Sequence, residues 1–275
     1  MAHVNEQNAA VMRPAKQDVT DWLAPLRERD LLPADALAAF VVGSVARGWD
    51  NSRSDFDIYV VTTEEWDTQT CSATLMPLDP PRIRSEVFYE NDRRWEITYW
   101  LESQVDQMLA KISWERYTGG VFAGEILSPR EETSLARFAH CHPLLGRDWI
   151  DAKCAQLEQS AFRSIVVVRS LGLADDATED ALGQMESGHL ESAVLSARRA
   201  LGHAVDALLE SAGEYGSHMP KWRPNRFKAA APQVLSFEDY WALETMRAYD
   251  PADPRPWIRS VLTICQDISM RVETS

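Results

Sequence analysis

The stretch Ala39–Thr62, AFVVGSVARGWDNSRSDFDIYVVT, decides how the rest of the chain is read. It runs as an apolar strand, a Gly43-Ser44 turn, a polar connection and a second apolar strand that opens on two acids, Asp55 and Asp57. Successive side chains of a strand point to opposite faces, so these two carboxylates share one face. Phe56, Ile58, Val60 and Val61 supply apolar surface for a core. Two adjacent carboxylates repel and lose hydration. A divalent cation between them relieves both costs, and oxygen-only ligands suit Mg²⁺ or Mn²⁺. Gly43-Ser44 follows the apolar run Phe40–Val42 and precedes a short helix predicted over Val45–Gly48. Backbone N–H groups at such a turn favour a phosphate.

A Gly-Ser pair alone is only a turn, and an Asp-x-Asp pair alone is a common loop edge. Their conjunction is more specific: an apolar run into Gly-Ser, a twelve-residue step from Gly43 to Asp55, Ser54 before the acids, and acid alternating with apolar into a strand. Val42-Gly43-Ser44 and Asp55-Phe56-Asp57-Ile58 resemble the signature of the nucleotidyltransferase superfamily, which includes DNA polymerase β and the aminoglycoside nucleotidyltransferases. The resemblance covers about the first hundred residues by motif and the remainder by architecture only. It implies metal-dependent transfer of a nucleoside monophosphate, AMP from ATP or another nucleoside triphosphate, to a hydroxyl of a small molecule such as an aminoglycoside-like antibiotic or a metabolite. The alternatives are modification of a macromolecule, synthesis of an oligonucleotide signal, or a nucleotide-binding domain without catalysis.

The resemblance also implies a third acid from a later strand beside the pair. Glu96, in the run Arg-Trp-Glu-Ile-Thr-Tyr-Trp, is the candidate, as metal ligand or as general base; Glu86 competes and Glu102 lies just past the strand. Some members take a base from the helical domain. Here Asp206 and Glu210, at i and i+4 on one helix, and His203 are the candidates. Phosphates need cations. The run Lys221–Lys228, KWRPNRFK, holds four basic residues among eight, with Lys221 and Arg223 the foremost candidates and pairing with the protein's own acids the alternative. Arg47 follows the Gly-Ser turn, and Ser54 precedes the acid pair. Arg82, Arg84, Arg93 and Arg94 are lesser phosphate candidates. His140, Cys141 and His142 read as helix-end residues rather than metal ligands.

The chain of 275 residues, 45% hydrophobic and 25% charged, has a net charge of −14. An acidic surface repels a polyanion and attracts a cationic small molecule, so nucleic acid is disfavoured as substrate. The four cysteines are widely spaced and form neither a zinc pattern nor a disulfide framework, as expected in a reducing cytosol. No apolar core of a signal peptide and no membrane-length segment is present, so a cytoplasmic protein is expected.

The predicted fold is α+β. Residues 1–128 form a mixed-sheet catalytic domain, and 129–275 form a helical bundle with the boundary at Pro129. The first fifteen residues read as loose, and 18–28 as a helix interrupted by Pro25. Cys71–Pro81 reads as irregular, and 83–89 and 95–101 as strands joined by a turn at Glu90–Arg93. Helices are predicted over 105–112, 131–140, 149–171, 178–186, 190–211, 237–249 and 257–272. On 190–211, Val194, Ala197, Leu201, Val205 and Leu208 make one apolar stripe.

Overall fold

The computed structural model describes residues 19–67, 71–120 and 126–272. The expectation for the first fifteen residues lies outside them. The first half of the chain forms α1 (Val19–Glu28), β1 (Ala38–Val42), α2 (Gly43–Ala46), β2 (Phe56–Thr62), β3 (Ser72–Leu75), β4 (Arg82–Glu90), β5 (Arg93–Leu101), α3 (Glu102–Lys111) and α4 (Trp114–Thr118). After them come α5 (Pro129–Phe138), β6 (His142–Leu145), α6 (Arg147–Gln159), α7 (Phe162–Glu186), α8 (Leu190–Ser211), α9 (Arg223–Ala230), α10 (Phe237–Glu244) and α11 (Arg255–Ser269). The fold is α+β, with a mixed six-stranded sheet in the order β3-β4-β5-β2-β1-β6. None of the described helices is long and apolar enough to cross a membrane.

Two compact units are each assembled from separated segments. The first comprises the chain up to Ser72, Arg84–Leu101 and Cys141–Ile150; the second comprises Ala73–Ile83, Glu102–His140 and Asp151–Ser275. Pro129 lies inside the Glu102–His140 segment of the second unit. Two short strands stand in segments expected to be irregular or to end a helix. β3 lies in the Pro- and Asp-rich stretch, and β6 returns His142–Leu145 to pair antiparallel with β1.

In the first unit, β2 pairs antiparallel with β1 and parallel with β5, and β5 pairs antiparallel with β4. The β4–β5 hairpin closes through Asn91 and Asp92, both with positive φ (50° and 59°), the backbone of a tight two-residue hairpin turn. Register partners Phe56 and Trp95 point to the side covered by α1, where Trp22 meets Phe56 edge-on at 4.8 Å and Trp95 at 5.9 Å between ring centroids. Phe88 stacks on Trp95 at 5.5 Å. Leu23 and Leu26 of α1 and Ile58, Val60, Ile97 and Tyr99 of the sheet complete this core. α1 continues through Pro25, whose carbonyl accepts a hydrogen bond from Arg29 Nη1 at 3.1 Å.

The helical unit packs α7, α8 and α11 around small side chains. Ala174, Ala177 and Ala181 of α7 and Ala193, Ala197, Ala200 and Ala204 of α8 are buried, which lets the two long backbones approach closely. The stripe Val194, Ala197, Leu201, Val205 and Leu208 is buried throughout. The helix expected over 149–171 is broken instead. Ser160 Oγ accepts the Phe162 N–H at 3.1 Å, and the Ala161 N–H turns to the Ile112 carbonyl at 2.9 Å. α7 then runs on through Gly172, joining two segments predicted as separate helices.

Six charged side chains meet inside this unit. Asp206, 1% exposed, accepts from Arg226 Nη1 at 2.6 Å and from Arg223 Nη2 and Nε at 2.8 and 3.1 Å. Glu132 is paired with Arg169 and lies 3.2 Å from His218 Nε2. Glu210 accepts from Ser170 Oγ at 2.7 Å, with Arg169 Nη2 at 3.8 Å. Burial first, and Asp206 second, push the Glu210 carboxyl up to about 7, against the pull of Arg226, Ser170 and Arg169. A carboxyl whose pKa is higher in the folded chain keeps a proton that the unfolded chain releases. Its contribution to stability is full below the ordinary value of 4.5 and is lost as pH rises towards 7. Urea unfolding between these two pH values should show the wild type losing stability relative to Glu210→Gln, whose side chain stays neutral. Parallel profiles for the two proteins would contradict burial of a titrating carboxyl at this position.

Candidate active site

The site grows out of the alternation of β2 and β5. With Phe56 and Trp95 packed under α1, their neighbours Asp57 and Glu96 must point to the other side of the sheet, and these two are register partners across a parallel pair. The same register settles the third acid. Glu86 is opposite Ile97 and buried on the α1 side, 5% exposed, whereas Val87 is the residue opposite Glu96. Glu96 alone of the strand acids considered joins the face of the Asp pair. Glu102 begins α3 and leaves the sheet.

Val42 is the register partner of Asp57 on the third strand, so the chain enters the Gly43 turn beside that carboxylate. Gly43 has φ +71°, and a Cβ placed there would lie 2.6 Å from Asp57 Oδ2. The backbone thus favours glycine, and a side chain here would have to displace the Asp57 carboxylate. The helix after it starts at Gly43, two residues earlier than expected from sequence, and Gly48 at its far end also has positive φ (64°) with open space around it.

The connection from Arg47 to Asp55 is held by side chains. Arg47 lies over the Trp49 ring at 3.9 Å. Ser54 Oγ accepts the Asn51 N–H at 2.9 Å, closing a turn, which leaves its O–H as a donor. Arg93 donates from Nε to the Ser54 carbonyl at 3.0 Å and covers Phe56 at 4.3 Å. That bracket fixes where Asp55 enters the strand.

The residue that sequence reasoning underweighted is Arg94. Two positions before Glu96 on the same face, it places a single nitrogen, Nη1, 2.8 Å from Asp55 Oδ2 and 2.7 Å from Glu96 Oε2. Partial burial opposes its charge, but the hydrogen bonds of the two acids raise its pKa above the ordinary arginine value. An i, i+2 basic–acid pair in a strand that carries a candidate acid was the available signal. Tyr89, 69% exposed, is opposite Arg94, and Val87, 44% exposed, is opposite Glu96, so β4 gives this face an open apolar margin.

The donor chemistry suits a hard divalent cation: Asp55, Asp57 and Glu96 offer carboxylate oxygen on one sheet face. The three do not converge as they stand. Among the described residues no group of three His, Cys, Asp or Glu side chains is gathered to hold a metal ion, and Arg94 bridges Asp55 and Glu96.

Of the candidates in the helical unit, Asp206 and Arg223 hold each other in the buried ion cluster, with Arg226 on the same carboxylate. This geometry does not fit Asp206 as a base open to a hydroxyl or Arg223 as a phosphate ligand: both are committed inward. The alternative, a basic run pairing with the protein's own acids, describes Arg223 and Arg226; Lys221 is exposed over the Trp222 ring at 5.2 Å. Burial lowers the His203 pKa despite the nearby Asp206. His140 Nε2 lies 3.1 Å from the Gly213 carbonyl, and His142 begins β6 rather than ending a helix.

No family model matches the chain, and no curated protein matches it. Among solved structures it is similar to that of a nucleotidyltransferase-like protein from Exiguobacterium sibiricum 255-15, with 13% identity and a TM-score of 0.47, over 89% of this chain and 72% of that one. A likeness of that degree says nothing of the chemistry, which rests on the residues described above.

Proposed function

We propose that this protein is a metal-dependent nucleotidyltransferase that moves a nucleoside monophosphate, AMP from ATP, to a hydroxyl of a small molecule and releases pyrophosphate. The observation that carries the reading is the meeting of Asp57 with the Gly43 backbone on one side and Glu96 on the other. A turn suited to phosphate and a set of hard anionic ligands thus occupy the same end of the same sheet face.

Asp55 and Asp57 would hold Mg²⁺ or Mn²⁺, with Glu96 beside them. The bound cation would neutralise charge on the triphosphate as the bond to pyrophosphate breaks. The residues of the chain supply the rest. The Gly43-Ser44 turn, lacking a side chain at its first position, lets phosphate approach the backbone closely. Arg47, at the end of α2, is the nearby cation proposed for the phosphates. The acceptor oxygen forms its new bond to the α-phosphorus while the bond from that phosphorus to pyrophosphate breaks. The hydroxyl proton passes to a carboxylate, and Glu96 offers that as well as a third ligand. The net charge of −14 favours a small, neutral or cationic acceptor over a polyanion, and the exposed Val87 and Tyr89 offer it apolar contact.

Incubation with Mg²⁺, a labelled triphosphate and an acceptor library should release pyrophosphate in an acceptor-dependent manner. Asp57→Asn should lower this by at least about 100-fold, since even residues that only orient metal ligands cost 10–100-fold. Turnover kept in that variant would remove the carboxylate from the mechanism. Mass spectrometry of triphosphates incubated without acceptor tests the signalling alternative, for which self-coupled nucleotides are the expected product.

Gly43→Ala and Gly48→Ala separate backbone strain from site geometry. Both place a Cβ at positive φ, which costs about 1–2 kcal/mol, but only at Gly43 does the new carbon meet Asp57. Thermal unfolding should fall by a few degrees in each. Activity should fall steeply in Gly43→Ala and stay near wild type in Gly48→Ala; equal activity in the two would contradict the assigned contact.

A further inference from the structure

The bridge made by Arg94 stands where the acids would be expected to face a cation. One guanidinium nitrogen lies within hydrogen-bond reach of two carboxylates from separate parts of the chain, Asp55 just before β2 and Glu96 within β5. The pairing is no accident of a long, loose side chain. β5 places Arg94 and Glu96 on one face by alternation, and Arg93 locks the backbone of Ser54 next to Asp55. The result is a positive charge built into the acid face. All three side chains are about one-third exposed or a little more, at 31%, 42% and 34%, so the contact is within reach of solvent and can be exchanged.

We propose that Arg94 is a resident counter-ion that closes the acid site in the resting protein and is exchanged when a metal–triphosphate arrives. This rests on the metal-binding reading given under Proposed function. The substrate brings both halves of the exchange. Asp55, with Asp57 and Glu96 beside it, would exchange the guanidinium for the divalent cation, and Arg94 would pass to the phosphate oxygens. A divalent cation held by the carboxylate oxygens that Nη1 now contacts would sit close to that charge. Two positive charges at that range repel. The guanidinium must therefore turn away, and a planar group with several donors finds its best new partner in a phosphate. Free metal is consequently a poor ligand for the resting site, whereas the metal–nucleotide is a good one. The arrangement makes the acids selective for a cation already carried by a triphosphate.

The two halves of the exchange give Arg94→Met opposite effects on two ligands. Isothermal titration with Mn²⁺ alone should show the variant binding about tenfold tighter than wild type, because no internal cation competes. Titration with Mn²⁺ and a non-hydrolysable ATP analogue should show the variant binding several-fold weaker, because the phosphates lose a partner. Arg94→Lys keeps the charge and should bind Mn²⁺ alone close to wild type. Arg84→Met, which removes an arginine paired with Asp67 on the other face, should change neither titration. Circular dichroism and thermal unfolding confirm that each variant is folded. Unchanged or weaker Mn²⁺ binding in a folded Arg94→Met protein would overturn the counter-ion role, as would tightening of the same size in Arg94→Lys. Unchanged binding of the metal–nucleotide would overturn the phosphate half of the exchange. Absence of Mn²⁺ binding in wild type and Arg94→Met alike would overturn the metal-binding reading itself, a result distinct from the others.

Discussion

The parallel pairing of β2 with β5 is the constraint from which the site follows. Its register is fixed on one side by aromatic packing: Phe56, Trp95, Phe88 and Trp22 interlock beneath α1. Because a strand alternates with period two, a slip of one residue would turn these rings to solvent and bury the acids. The hydrophobic effect acting on one face thus sets the position of charge on the other. Asp57 and Glu96 are neighbours because Phe56 and Trp95 are. The Gly43 turn joins them because β1 pairs with β2 from the opposite side and brings Val42 opposite Asp57.

The chain places its charges in two contrasting ways. On the sheet face, Arg94 and its acids are partly exposed, where an ion pair contributes little to stability and is readily exchanged. Inside the helical unit, Asp206, Glu210, Glu132 and Arg226 are almost wholly buried, where removal of one partner strands the other in a medium that cannot solvate it. The first arrangement suits a site that must change partners. The second suits a scaffold that must not.

How much of this was legible in the sequence follows from the physics of each signal. Period-two alternation made the acid pair and Glu96 readable, because strand faces are set locally. The stripe on α8 was readable for the same reason, with a period near 3.6. Residue choice alone did not reveal β3 or β6, four-residue strands whose pairing is decided by the neighbouring strand rather than by their own composition. The break at Ser160 depends on its Oγ accepting the Phe162 N–H and on a carbonyl from Ile112, a partner far away in sequence. From near neighbours in sequence, Asp206 is one of several base candidates, and Arg223 is either a phosphate ligand or a partner of the protein's own acids. Their partnership spans seventeen residues and exists only once α8 and α9 are packed. Arg94 was visible as a cation, but its bridge needs the β2–β5 pairing to bring Asp55 within reach.

Crystals soaked with Mg²⁺ and a non-hydrolysable ATP analogue test the central claim most directly. The expected result is a cation in contact with Asp55 and Asp57, phosphate oxygens against the Gly43-Ser44 backbone, and Arg94 turned from the acids towards the phosphates. A nucleotide bound away from Gly43, with the Arg94 bridge to Asp55 and Glu96 intact, would contradict it.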